Sequence, residues 1–359
     1  MKKQCDLVVI GGGGSGLIAG CRAATLGKTV MVLEKDKRLG GGMVMASTMR
    51  TFGSRWQKER NLPDTTALYM RNRMDETYWR LDRKLAASMI QGTGQFFDWF
   101  TSIAPKEEID KFSVGRYVFD EEDGPLGPQY GGPGRGSGKM FVEVTSQKLQ
   151  ELGGEILTET VTDEILTQDG KVVGVKAHNA EGELEISCQA VILACGAWIR
   201  NEEFVKKYYP QLAAAQPYMG ESPHMSRSYT GDGLVLAEKI GVPADKLAET
   251  IATYNHAAET GMDWDCYKPA DWMVPMNEAP YYAVKASLGT DGAFGGVEID
   301  EHMQAKAADG GTVDGLFVVG DLASGRFLNM AGIKKQILND MSFAVSSGYV
   351  AGTYVGEHF

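Results

Sequence analysis

Cys5–Glu34, CDLVVIGGGGSGLIAGCRAATLGKTVMVLE, is the stretch on which the fold turns. Leu7–Ile10 is a short apolar run with the length and composition of a buried parallel strand. The glycines that follow fit G-x-G-x-x-G through Gly11, Gly13 and Gly16. Leu17–Gly27 is Ala-rich and reads as a helix, Lys28–Leu33 as a second strand, and Glu34 stands at its end. The order is that of a dinucleotide-binding βαβ unit. Gly11 permits the tight turn, and Gly13 lets the backbone approach a pyrophosphate lying on the helix N-terminus. Gly16 lets helix and strand pack closely. Glu34 lies 18 residues beyond Gly16, where a carboxylate accepts hydrogen bonds from a ribose. A glycine turn without a ligand is the alternative, and the strand, helix and acid in register argue against it.

Outward from this unit, composition sets limits. The chain has 359 residues and a net charge of −11, with 43% hydrophobic residues, so one large or two smaller domains are expected. The negative charge argues against general nucleic-acid binding and against a polybasic membrane anchor. No apolar run is long enough for a membrane span. Lys2 and Lys3 precede an apolar stretch, but Asp6 and the glycine turn interrupt any signal-peptide pattern. Cys5, Cys21, Cys188, Cys195 and Cys266 show no CxxC or CxxCH spacing and read as reduced thiols of a cytoplasmic protein. The five histidines are scattered and suggest no metal site.

Along the chain, Gly40–Gly42 cannot be a helix interior and sits where the backbone would pass a cofactor, with Ser47 and Thr48 as hydroxyl donors or as part of a polar loop. Pro63–Phe100 reads as mostly helical, with a break at Gly92 and Gly94. Met70, Met74, Trp79, Phe96, Phe97, Trp99 and Phe100 are assigned to the core. Gly131–Gly138 is either an anion-holding loop or a turn. Met140–Leu152 is an amphipathic helix. Glu155–Thr160, Val161–Thr167, Lys171–His178 and Leu184–Ser187 are strands, and Ala190–Gly196 is a buried strand with a small-residue end. Thr230–Gly233 precedes a helix to Ile240, and a further helix runs from Val242 to Ala258. Strand character returns at Val297–Asp300 and at Gly315–Asp321, and a helix from Gln336 to about Gly356 closes the chain.

Four segments, GGGGSG with Glu34, ILTETVTDEILTQDGKVVGVKAHNAEGELEISCQAVILACG, TGDGLVLAEKIG and GLFVVGDLASG, occur in this order. In this the chain resembles the flavoproteins related to fumarate reductase and succinate dehydrogenase, which include ketosteroid dehydrogenases and urocanate reductases. The resemblance covers nearly the whole chain. It implies an α/β fold: a Rossmann-like FAD-binding domain, made of a parallel sheet with helices and a small antiparallel β-meander, with a reduced capping subdomain. It implies non-covalent FAD. Gly11, Gly13, Gly14, Ser15 and Gly16 would meet the pyrophosphate, and Glu34 with Lys35 the adenosine ribose. Gly41, Gly42, Met43, Ser47 and Thr48 would line pyrophosphate and flavin. Val161 would present its backbone to adenine, and Ala194 and Gly196 would pass beside the cofactor. Asp232, Gly320 and Asp321 would approach FAD, and Asn339 to Met341 would bring a helix N-terminus to the flavin pyrimidine.

Departures from the pattern matter as much. Gly241 runs straight into Val242, so most of the mobile cap, with its proton-donating arginine and substrate-binding histidine, is expected to be absent. The domains are accordingly 1–241 and 287–359 for the FAD-binding part and 242–286 for the remnant cap. Lys335 stands where the carboxylate-clamping arginine would be, as a point charge without a bidentate grip. Lys335 and Arg326 are the candidate catalytic cations, beside Lys334 and Arg50, and Tyr282 is a candidate proton donor with Tyr229 and Tyr281. The expected activity is hydride transfer between flavin N5 and an alkene conjugated to a carbonyl, on a small unsaturated substrate. Electrons would come from a donor protein, a reduced flavin or a quinol. The alternative is an FAD-binding electron-transfer or cap-less flavoprotein without reductase activity of its own.

Overall fold

The computed structural model describes residues 1–46, 49–76, 79, 81–114, 128–130, 137–196, 216–217, 252–253, 255–262, 289–290, 297–307, 310–324, 338 and 340–359. The first strands and helices are β1 (Lys2–Gln4), β2 (Leu7–Ile10), α1 (Gly14–Thr25), β3 (Val30–Leu33), α2 (Arg55–Glu59), α3 (Thr66–Glu76), α4 (Arg83–Ile103) and α5 (Lys106–Ile109). A hairpin of β4 (Phe112–Val114) and β5 (Pro128–Tyr130) leads to α6 (Ser137–Glu151) and β6 (Glu155–Leu157). The meander is β7 (Val161–Gln168), β8 (Lys171–Asn179) and β9 (Gly182–Ser187), and β10 (Ala190–Leu193) returns to the sheet. The remaining elements are β11 (Gln216–Pro217), β12 (Gly289–Thr290), β13 (Val297–Glu298), β14 (Gln304–Lys306), β15 (Thr312–Val318), β16 (Ala323–Ser324) and α7 (Asp340–His358).

These strands build a 10-stranded sheet in the order β1-β9-β8-β15-β10-β2-β3-β6, with β14 and β7 as side branches. The run from β15 through β10, β2 and β3 to β6 is wholly parallel. Its central strands β2, β3 and β10 read as unbroken apolar runs because both faces are covered. β7, β8 and β9 pair antiparallel and join the parallel run through β8 and β15. The result is the α/β, Rossmann-like architecture with a small meander that the sequence implied. The chain forms two compact units, Met1–Asn201 with Gly292–Phe359, and Glu202–Asp291. In the second unit β11 and β12 pair in parallel, and residues 252–253 and 255–260 are helical. Among the described residues no helix is long and apolar enough to cross a membrane.

The structure departs from the sequence reading in instructive places. α1 begins at Gly14 instead of Leu17, because Gly13 is extended (φ −69°, ψ 167°) and the next residue already enters the helix. No break occurs at Gly92 and Gly94, since α4 is continuous across both. A Cβ on Gly92 would stand 2.3 Å from Ser346 Oγ, and one on Gly94 would stand 2.0 Å from the Phe52 carbonyl oxygen. Gly92 therefore makes room for the Ser346 side chain and Gly94 for the Phe52 backbone, at a helix-propensity cost of about 1 kcal/mol each relative to alanine. Phe96, Phe97 and Phe100 are fully buried, and Phe141 of α6 meets Phe100 edge-on at 4.8 Å. Trp79 is the exception to the core assignment. It is 63% exposed, its backbone turns left-handed (φ 58°), and its indole N–H donates to Asp75 Oδ1 at 2.9 Å.

Candidate functional site

The glycine turn is held from three sides. Gly11, at φ 110°, donates its N–H to the Leu33 carbonyl at 2.8 Å, and a Cβ there would stand 2.4 Å from the Ala194 carbonyl oxygen. A Cβ on Gly16 would stand 2.3 Å from the Gly11 carbonyl oxygen. Only glycine fits at either position, because β2, β10 and α1 meet there. Gly14 is pressed by Met43, whose Cβ would be 2.8 Å from a Cβ at that position. Gly13 is different. Its φ and ψ suit any residue, and the nearest described atom to its missing Cβ is the Ala194 carbonyl oxygen at 3.8 Å. Among the described residues no packing requirement explains a glycine there. It leaves the backbone bare on the side where α1 presents its first-turn amides. That turn has no side-chain cap and no acidic residue. Such bare amides, at the positive end of the helix, suit an anion.

The second glycine cluster closes over the first. Gly40 is left-handed (φ 107°), donates its N–H to the Gly12 carbonyl at 2.8 Å and forms a bridge with Gly13. A short 3-10 turn, Gly41–Met45, follows, with Gly41 and Gly42 exposed and Met43 buried. Gly138, in the first turn of α6, lies against this turn, since its Cβ would be 1.8 Å from the Met43 carbonyl oxygen. That accounts for one glycine of the 131–138 run by packing. Residues 131–136 lie outside the described residues.

At the end of β3 the Glu34 carboxylate is already anchored. Oε2 accepts from the Gly12 N–H at 2.7 Å and Oε1 from the Asp36 N–H at 2.8 Å. The Glu34 carbonyl accepts from the Thr160 N–H at 2.9 Å, which sets the start of β7 beside it. Val161 there is 41% exposed. Lys35 is exposed beside Glu34. A carboxylate has about four lone-pair sites, so two backbone donors leave capacity for hydroxyl groups.

At the other end, Ala194 donates its N–H to the Ile10 carbonyl at 2.8 Å, and Gly196 is left-handed (φ 72°), with no described atom within 4 Å of a Cβ placed there. Val319 donates to the Leu193 carbonyl at 3.0 Å, so Gly320 and Asp321 leave the sheet beside the end of β10. The Gly320 N–H donates to Ser347 Oγ at 3.0 Å, and a Cβ on Gly320 would stand 2.7 Å from Ser15 Oγ. Ser15, Gly320 and Ser347 thus converge, a junction that sequence reading missed because its members come from three distant segments. Met341 is buried in the first turn of α7, and Ser342 Oγ accepts from the Arg50 N–H at 2.7 Å. The buried Arg50 guanidinium lies 5.2 Å from the Tyr69 ring centroid. Ser47, Thr48, Asp232 and Asn339 lie outside the described residues, as do the catalytic candidates Lys335, Arg326 and Tyr282.

The turn, the bare amides and the anchored acid together suit an extended dinucleotide with its pyrophosphate on α1. Comparison with known proteins gives the same direction. The family model described as "FAD binding domain" matches residues 6–242 and 219–331. NADH:fumarate oxidoreductase of Klebsiella pneumoniae is 25% identical over 249 residues, covering 69% of this chain and 26% of the relative. NADH:acrylate oxidoreductase of Vibrio harveyi is 24% identical over 488 positions, covering 90% of this chain and 48% of the relative. The chain therefore spans between a quarter and a half of the length of these two relatives. A match over 488 positions onto 359 residues also requires internal segments in the relative that this chain lacks. Among solved structures, the open conformation of a flavocytochrome c3 fumarate reductase superposes with a TM-score of 0.79 at 18% identity, covering 99% of this chain and 78% of that one.

Proposed function

The chain belongs to the FAD binding domain family, and from that premise we infer that it is an FAD-dependent oxidoreductase acting on a carbon–carbon bond conjugated to a carbonyl. The observation that carries the cofactor assignment is Gly13, a glycine that packing among the described residues does not need, set before uncapped helix amides. In this reading Gly13, Gly14, Ser15 and Gly16 hold the pyrophosphate, with Gly41, Gly42 and Met43 alongside. Glu34, with Lys35 beside it, holds the adenosine ribose, and Val161 offers backbone to adenine. Ala194, Gly196, Gly320 and Asp321 flank the rest of the cofactor. FAD is held without a covalent bond. When bound, it supplies a hydride donor and acceptor at flavin N5. The N-terminal end of α7, at Met341, stabilises negative charge on the pyrimidine side. Lys335 and Arg326 are the cations that would stabilise a developing enolate, and Tyr282 the group that would supply a proton.

The reaction class is supported by relatives whose names specify fumarate and acrylate, both alkenes conjugated to a carboxylate. The reduced cap, taken as 242–286, is supported by the internal segments that the Vibrio harveyi relative has in excess. An acceptor of this kind and a donor protein, reduced flavin or quinol complete the cycle.

Anaerobic reduction of the FAD-loaded protein, followed by fumarate, acrylate, urocanate, cinnamate or a ketosteroid enone, tests the reading. At least one acceptor is expected to reoxidise the flavin faster than buffer alone, with the saturated product recovered in equal amount. Retained FAD with no acceptor active across the set would instead identify a flavin carrier that needs another protein for its chemistry.

A further inference from the structure

Two cysteines far apart in sequence occupy one rung of the sheet. β1 pairs with β9 in parallel with Gln4 opposite Ser187, so the next rung places Cys5 opposite Cys188. β10 pairs with β2 in parallel with Ala190 opposite Leu7, and two rungs back the same residues meet. The intervening backbone bonds agree. The Cys5 N–H donates to the Ser187 carbonyl at 3.1 Å, and the Gln189 N–H donates to the Asp6 carbonyl at 3.0 Å. Adjacent strands stand about 4.8 Å apart. That falls within the Cα separations that a disulfide spans, about 4.4–6.8 Å. Residues opposite one another on parallel strands present their side chains to the same face. Cys5 and Cys188 accordingly belong to one apolar cluster, with Val8, Val191 and Ile186.

Both thiols are 7% exposed, and both line the same cavity of about 390 Å³, together with Asp6, Lys171, Gln189 and Asp314. The cavity is large enough to admit hydrogen peroxide. We propose that Cys5 and Cys188 form a redox-sensitive staple: a peroxide entering this cavity oxidises the pair to a disulfide that ties the N-terminal strand to the meander. In the first step one cysteine of the pair loses its proton to water and its thiolate attacks hydrogen peroxide; the O–O bond breaks, the departing hydroxide recovers the proton as water, and a sulfenic acid results. In the second, the sulfur of the other cysteine attacks the sulfenic sulfur, the S–O bond breaks, and the departing hydroxide takes that cysteine's proton as a second water. Two thiols lose two electrons and one peroxide gains them. Burial first, and the neighbouring Cys188 second, push the Cys5 thiol up to about 12, and burial holds Cys188 at about 11. Both are therefore protonated at neutral pH, and the staple forms slowly. Its loop runs from residue 5 to residue 188, and closing so long a loop restricts the unfolded chain strongly.

The test is a non-reducing peptide map of the FAD-loaded protein before and after hydrogen peroxide, alkylated with iodoacetamide in denaturant. The expected result is a linked pair of peptides containing Cys5 and Cys188, lighter by two hydrogens and lost on adding dithiothreitol. The exposed Cys195 is expected to stay unlinked. Cys5→Ser and Cys188→Ser should each abolish the linked species. The oxidised wild type should unfold at higher urea than its reduced form, a shift both variants lack. Recovery of Cys5 and Cys188 as separately alkylated or over-oxidised residues, or a link to another cysteine, overturns the proposal. Because the map is read on the wild type, the result does not depend on either variant folding.

Discussion

Replacing Gly13 by alanine is expected to weaken FAD binding by on the order of 100-fold, about 2.7 kcal/mol, with little change in the stability of the FAD-free protein. The backbone at Gly13 (φ −69°, ψ 167°) accepts an L side chain, and the nearest described atom to the new methyl is 3.8 Å away. The methyl instead fills the space in which the pyrophosphate must approach the first-turn amides. Gly11→Ala is the contrasting variant. There φ is +110° and the methyl would stand 2.4 Å from the Ala194 carbonyl oxygen, so folding itself suffers, with or without cofactor. Flavin-fluorescence titration and urea unfolding of the two FAD-free variants separate ligand space from packing space. A Gly13→Ala protein that keeps wild-type FAD affinity would show that nothing approaches the turn at that point.

Gly348→Ala and Gly352→Ala are each expected to destabilise the protein by about 1–3 kcal/mol, against the helix propensity that favours alanine by about 1 kcal/mol in an exposed helix. A Cβ on Gly348 would stand 2.4 Å from the Ser15 carbonyl oxygen, and one on Gly352 would stand 2.3 Å from that of Ala19. The two helices therefore touch backbone to backbone along one stripe, and a methyl at either position drives α7 off α1. The double variant should lose more than either single one and should also bind FAD less tightly. The stripe continues to the Ser15–Gly320 contact beside the glycine turn, where α7 contributes Ser347. Urea midpoints of the FAD-free proteins give the first effect and FAD titration the second. A rise in stability for either single variant would mean that the helices stand further apart.

The glycine turn was legible from sequence because its parts are close along the chain. Strand, turn, helix and acid all fall between Leu7 and Glu34, and each has a local signature. The meander strands Val161–Thr167, Lys171–His178 and Leu184–Ser187 were legible for the same reason, since they follow one another closely along the chain. What escaped was set by partners far away in sequence. Gly92 and Gly94 looked like a helix break, and only Ser346 and Phe52 explain them as close contacts within a continuous helix. Trp79 looked like core until a left-handed backbone turned it outward. The stripe of Gly348 and Gly352 carries no message until α1 lies across it. The catalytic candidates Lys335, Arg326 and Tyr282 rested on resemblance and on residue type, without a local pattern that would place them.

In the proposed reading the Gly11–Gly16 turn holds the pyrophosphate of FAD. Titration of the cofactor-free protein with FAD, FMN and NAD, read by flavin fluorescence and by displacement, decides whether it does. FMN has the flavin but neither the pyrophosphate nor the adenosine, and NAD has both but no flavin. FAD is expected to bind at one per chain, with FMN weaker by on the order of 100-fold or more and NAD unable to displace FAD at comparable concentration. FMN binding as tightly as FAD, or no retention of either flavin, would contradict it.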